Sequence, residues 1–183
     1  MKGSQTALFL TFFLAMLYQT YPFLVSESNG LDRIYRMIGM PSKKVVKGRY
    51  IWAIIISLMF IIIGSIISYI ISILLKEDTD IKEIALLAIT YFLINILIAC
   101  FQYPVLFKWE YKKARQYSIF PAFMIFLLIA LLGKFIGIDR IKEFLTFLSN
   151  NMTLSIIITI LIILVIIIIS IKVSEKFYKE KEI

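Results

Sequence analysis

The sequence offers almost nothing from which a catalytic centre is usually built. It holds no histidine and a single cysteine, Cys100. Zinc hydrolase sites and Ser-His-Asp triads need imidazole, so both are excluded, and no metal site is expected. One thiol can form no internal disulfide. Midway along an apolar run, Cys100 reads as a small packing residue. The polar residues inside the apolar runs are mild. Ser57, Gly64, Ser68 and Ser72 recur at spacings of seven and four, which places them on one helix face where a second helix can come close. Tyr91, Asn95 and Gln102 share another face, suited to an interhelical hydrogen bond or to lining a path. No Asp, Glu, Lys or Arg lies deep in any such run. A proton-coupled pump, which handles charge at depth, is therefore disfavoured. Active transport would draw its energy from another chain.

These residues sit in a chain that is 61% hydrophobic, with a mean hydropathy of +0.91. A soluble domain is about 45–50% apolar, so the bilayer is the main solvent here. The uncharged runs are 3–26, 50–75, 84–107, 116–133 and 144–171. A helix needs about 20 mainly apolar residues to cross the hydrocarbon. The runs lack the period-2 alternation of barrel strands. The expected fold is an all-α integral membrane protein forming one transmembrane domain over 1–183. Its five transmembrane helices are expected at about 5–25, 50–74, 84–107, 117–136 and 152–171.

Charge sets the orientation. The segments 26–49, 108–115 and 172–183 carry 14 basic and six acidic residues, a net charge of +8. The segments between the other span ends carry six of each and are neutral. By the positive-inside rule the basic end is cytoplasmic, the C-terminus is cytoplasmic and the N-terminus is outside. A secretory leader is the competing reading of residues 1–25. However, Tyr18–Val25 shows no small-residue cleavage pattern, and cleavage there would send the basic stretch outside. An outside N-terminus is an awkward start for insertion, and a missing first span would explain it.

Two segments are amphipathic. In 134–151, Ile138, Ile141, Phe144, Leu145 and Leu148 oppose Asp139, Arg140, Lys142, Glu143 and Thr146, which predicts an interfacial helix on the outer face. Asn151-Met152-Thr153 fits a glycosylation acceptor but abuts the bilayer, so the match is read as coincidental. In 26–49, Asn29 is expected to cap a short helix. Leu31, Ile34, Tyr35 and Ile38 form its apolar stripe, with Asp32, Arg33 and Arg36 opposite. Gly39 ends it and Pro41 turns the chain. Such a stripe suits a groove on another protein, while the lysines and arginines alone would serve as a lipid-touching topology anchor. Pro22, Pro104 and Pro121 lie near the basic ends of their spans. Pro22 and Pro104 are placed to kink the last turns, and Pro121 falls in a first turn, where proline is tolerated.

The stretch Ser26–Tyr50 resembles the intracellular segment of small ABC-2-type transporter permeases, through Glu27, Gly30, Asp32, Pro41, Ser42, Lys43, Lys44, Val45, Arg49 and Tyr50. Phe101–Ile119 is similar to a second segment of that family through Pro104, Phe107, Lys108, Tyr111 and Arg115. The outer amphipathic segment before the last span also fits. The family pattern has six spans with the N-terminus inside, and the likeness begins at its second span, so the resemblance implies that the first span is lacking. It also implies a multi-pass plasma-membrane subunit of an ATP-driven exporter. Such a subunit pairs with a second permease chain, alike or different, and with two ABC ATPase subunits. No nucleic acid is expected among the partners. The coupling helix at about 30–39 would contact the ATPase through Glu27, Gly30, Asp32, Arg33, Ile34, Tyr35, Pro41, Lys43 and Lys44. The chain would bind no cofactor itself, and ATP with Mg would sit on the partner. It has no Gly-x-x-x-x-Gly-Lys-Ser/Thr loop, since Gly133-Lys134 lacks both the upstream Gly and the hydroxyl residue. It is therefore expected to be a transporter subunit and not an enzyme. Amphipathic peptides or antimicrobials are the implied cargo. The alternative reading is a membrane scaffold or peptide-immunity protein that acts by binding without an ATPase.

Overall fold

The computed structural model describes residues 3–77, 80–109, 111, 113–114 and 152–180. The expected fourth span (117–136), the outer amphipathic segment (134–151), Pro121 and Arg115 lie outside the described residues. The described residues form helices α1 (Gly3–Tyr18), α2 (Tyr21–Asn29), α3 (Leu31–Met37), α4 (Ser42–Leu74), α5 (Ile81–Lys108) and α6 (Met152–Glu180), with no strand among them. Among the described residues, three stretches are long and apolar enough to cross a membrane: Gly3–Asn29, Ser42–Leu74 and Ile81–Lys108. The last expected span lies within α6.

The first stretch breaks where proline demands it. Pro22 lacks the N–H that would bond to the Tyr18 carbonyl, and its ring crowds that carbonyl. The chain turns at Gln19–Thr20 and restarts as α2, with Pro22 in the first turn, where a missing N–H does least harm. Two freed carbonyls find side-chain donors. The Trp52 indole N–H donates to Tyr18 O at 3.3 Å, and the Tyr103 hydroxyl donates to Gln19 O at 2.7 Å. Pro104, by contrast, lies inside α5, which continues through it.

α4 is the centre of the bundle, in contact with α1, α5 and α6, while α1 and α6 also pack on α5. Close approach of α1 to α4 depends on small residues. Ser57, Gly64, Ser68 and Ser72 are all buried. A Cβ on Gly64 would lie 2.1 Å from Thr11 Oγ1, and Ser68 Oγ donates to Ser4 O at 2.8 Å. At the far end the Glu77 carboxylate closes the N-terminus of α1. It accepts from Gly3 N (2.6 Å), Ser4 N (3.3 Å) and Ser4 Oγ (2.7 Å), and such a charge is favoured there by the helix dipole.

Most large side chains on the outside of the long helices are apolar, including Ile55, Ile62, Ile66, Ile89 and Ile169. This is the reverse of a soluble surface and fits lipid contact. The main buried cluster gathers at the basic end, around Phe23, Val46, Tyr50, Tyr103, Phe107 and Tyr178.

Candidate functional site

The segment 26–49 is almost entirely helical. α2 runs to Asn29, so Asn29 is the last residue of that helix and does not cap the next one. Gly30 stands between α2 and α3 with φ 63°, and α3 has no side-chain cap. The positive φ lets the chain reverse sharply there, a conformation that costs glycine little. Gly39, at φ 69°, ends the turn after α3, and Pro41 in extended conformation leads into α4. α4 begins at Ser42, earlier than the expected 50, because the intervening lysines and arginines are good helix formers.

This hairpin of short helices brings Asp32 to Arg49. The Arg49 Nη2–Asp32 Oδ1 distance is 2.5 Å, and the two side chains are 8% and 13% exposed. Arg49 also donates to Ser26 Oγ at 2.9 Å. Its guanidinium lies over the Phe23 ring (4.3 Å to the centroid) and near the Phe107 ring (5.0 Å). A planar cation between aromatic faces is a geometry that arginine provides and lysine does not. The Tyr178 hydroxyl, from α6, reaches Asp32 at 3.5 Å. Burial, and then the Asp32 carboxylate, pushes the Tyr178 phenol up, so it stays a neutral donor. Arg36 of α3 donates to the Tyr178 carbonyl at 2.8 Å. Glu27 accepts from the backbone N–H of Tyr111, beyond the end of α5. One short helix is thereby tied to α2, α4 and α6, with α5 contributing Phe107.

The apolar stripe expected on α3 divides. Leu31 and Tyr35 turn towards the body, and Tyr35 packs on the buried cluster. Ile34, Met37 and Ile38 are 47%, 76% and 64% exposed. Asp32 was expected opposite the stripe with Arg33 and Arg36; the structure turns it inward, because Arg49 offers a buried countercharge. Arg33, Lys43 and Lys44 are exposed. In the second loop, Phe107 is buried and Pro104 and Tyr111 are half-buried. Lys108 lies over the rings of Trp109 and Phe177. Phe23, Ser26 and Tyr178 complete the cluster without having been singled out, and Arg49 was named only as a position of the family resemblance, with no contact assigned to it.

A second polar zone lies between the spans. The Tyr50 hydroxyl meets Ser170 Oγ at 2.5 Å and Ser174 Oγ at 2.9 Å, and Ser170 donates to the Cys100 carbonyl. Cys100 is buried. Across the α1–α5 contact, Gln19 Nε2 donates to Gln102 Oε1 at 3.4 Å, Asn95 Nδ2 donates to Phe12 O at 3.4 Å, and Tyr91 packs on the Phe12 ring. These are interhelical hydrogen bonds, the simpler of the two roles open to that face. Gln19 Oε1, Asn95 Oδ1 and Ser57 Oγ are buried with no hydrogen-bond partner among the described residues.

Among the described residues the buried charges Asp32 and Arg49 pair with each other, and the hydroxyls of Tyr50, Ser68, Tyr103 and Ser170 bond to neighbouring elements. The class this arrangement defines is a multi-pass helical membrane protein with a short helix lashed to the ends of its spans. The chain matches the family described as ABC-2 family transporter protein over residues 1–179, and it belongs to that family. No curated protein and no solved structure matches it.

Proposed function

We propose that this chain is the membrane-spanning permease subunit of an ATP-driven exporter, with α3 as the helix that receives movement from a separate ABC ATPase. The observation that carries the reading is the division of α3 into two faces. One face presents Ile34, Met37 and Ile38 beyond the membrane segments, an apolar docking surface of the kind a groove accepts. The other is fixed to the span ends through Asp32, Tyr35 and Arg36. A helix held this way passes a push to the spans. In this reading the basic end is cytoplasmic, the membrane is the plasma membrane, ATP and Mg sit on the partner, and two permease chains share two ATPase subunits. The two states of the spans differ in energy because the ATPase holds α3 differently in each. Glu27, Gly30, Pro41, Lys43 and Lys44 shape and flank the docking element. The second loop, with Lys108 and Tyr111, supports it. The proposed cargo is an amphipathic peptide or antimicrobial, the class that the family resemblance implies.

Affinity purification of the chain from its native membrane in mild detergent tests this. An ATPase with a phosphate-binding loop should co-purify with the wild type and be lost from I34E/M37E. Both substituted residues point away from the core, so the variant should remain folded and membrane-inserted. Recovery of the chain without any ATPase, or an ATPase retained by I34E/M37E, refutes the assignment. The first result would favour a scaffold or immunity role instead.

A further inference from the structure

A hollow of about 450 Å³ lies between α2, α3 and the start of α4, within the range of roughly 300–1,000 Å³ typical of ligand pockets. Its walls are mainly apolar and include Tyr21, Val25, Tyr35 and Trp52, while α4 contributes Gly48 and two cations, Lys44 and the Arg49 already paired with Asp32. No described residue of α5 or α6 lines it, so it faces away from the bundle centre. Tyr21 and Trp52 flank the point where the basic segment gives way to the uncharged run beginning at Tyr50, the level that aromatic residues mark at a bilayer interface.

Charge identifies the occupant. The segment 26–49 has six basic residues and two acids, Glu27 and Asp32. Both acids are already engaged, Glu27 by the Tyr111 N–H and Asp32 by Arg49. Lys43, Lys44 and Lys47 are exposed and pair with no carboxylate among the described residues. The docking face of α3 (Ile34, Met37, Ile38) does not line the hollow, so an occupant there would not compete with a partner on that face. We infer that the hollow is a binding site for an anionic phospholipid, with its phosphate beside Lys44 and an acyl chain against Tyr21, Val25 and Trp52. The inference rests on membrane insertion and does not depend on an ATPase partner.

The test uses the full chain with W109F, which leaves Trp52 as the only tryptophan, reconstituted in vesicles containing brominated phosphatidylglycerol or brominated phosphatidylcholine. Bromine quenches Trp52 on contact. The anionic lipid should be preferred by about fivefold for each lysine engaged, and K44E should abolish the preference. G48L should abolish it as well. Gly48 lines the hollow and a Cβ there meets nothing within 4 Å, so the leucine side chain starts from open space and takes up volume that the lipid would use, in a helix that tolerates leucine. Equal quenching by the two lipids in the wild-type background overturns the inference, as does a preference that survives either K44E or G48L.

Discussion

Replacing Gly64 with alanine tests the packing of the bundle at its tightest point. The added Cβ would lie 2.1 Å from Thr11 Oγ1, 2.9 Å from Thr11 Cβ and 3.2 Å from Thr11 Cγ2. Against an ordinary contact of 3.4 Å, the overlap with the oxygen is 1.3 Å and with the Cβ 0.5 Å. Threonine cannot swing clear. It is branched at the crowded atom, its rotamers in a helix are few, and its hydroxyl donates to Leu8 O at 2.9 Å. The strain must be relieved by separating α1 from α4, and overpacking of this kind costs about 1–3 kcal/mol. Unfolding in mixed micelles titrated with SDS, followed by tryptophan fluorescence, measures the loss. T11A removes the 2.1 Å and 3.2 Å contacts and leaves only the lesser overlap, so T11A/G64A should recover most of the stability. Wild-type stability in G64A, or a loss that T11A fails to relieve beyond the additivity error of about 0.5 kcal/mol, refutes the α1–α4 packing described above.

Three further outcomes are expected. R49M strands the Asp32 carboxylate and should cost about 3–5 kcal/mol, the usual penalty for breaking a buried pair, whereas D32L/R49M should cost clearly less in the same titration. G30A places a side chain at φ 63° with nothing within 4 Å; strain alone should cost about 1–2 kcal/mol, read as loosened α3 in hydrogen exchange. N95L removes a weak 3.4 Å hydrogen bond and a buried acceptor with no partner among the described residues, so it should leave stability unchanged or raise it. A clear loss would mean that Asn95 is satisfied in the membrane by a group not seen here.

How far the sequence reveals these features depends on how local each one is. The long apolar helices follow from runs of uncharged residues, and the break near Pro22 from the missing N–H of proline. The α1–α4 seam follows from small residues at spacings of seven and four. The limits of α4 were harder to read, because lysine and arginine extend a helix past the membrane as readily as they end a span. The Asp32–Arg49 pair was not readable at all. The residues are 17 positions apart, and only the reversals at Gly30 and Gly39 bring them together. Helical periodicity treats a charge on a short helix as solvent-facing, and it cannot see that a countercharge waits on the next helix. Tyr178 is further still, 146 residues from Asp32, at the end of a helix that continues beyond its apolar run.

The length of α4 has a mechanical consequence. Its 33 residues make a rod of about 50 Å, well beyond the roughly 30 Å of hydrocarbon. With the fulcrum near Leu74, a turn of about 10° would sweep Ser42 through about 9 Å. Only four residues, Ile38 to Pro41, separate the end of α3 from that lever tip, and they are folded into a turn in which Gly39 N–H donates to Arg36 O and Met40 N–H to Tyr35 O. Extended, that turn could absorb such a sweep, so it is the clamp of Asp32 to the lever by Arg49 that would make α3 travel with α4.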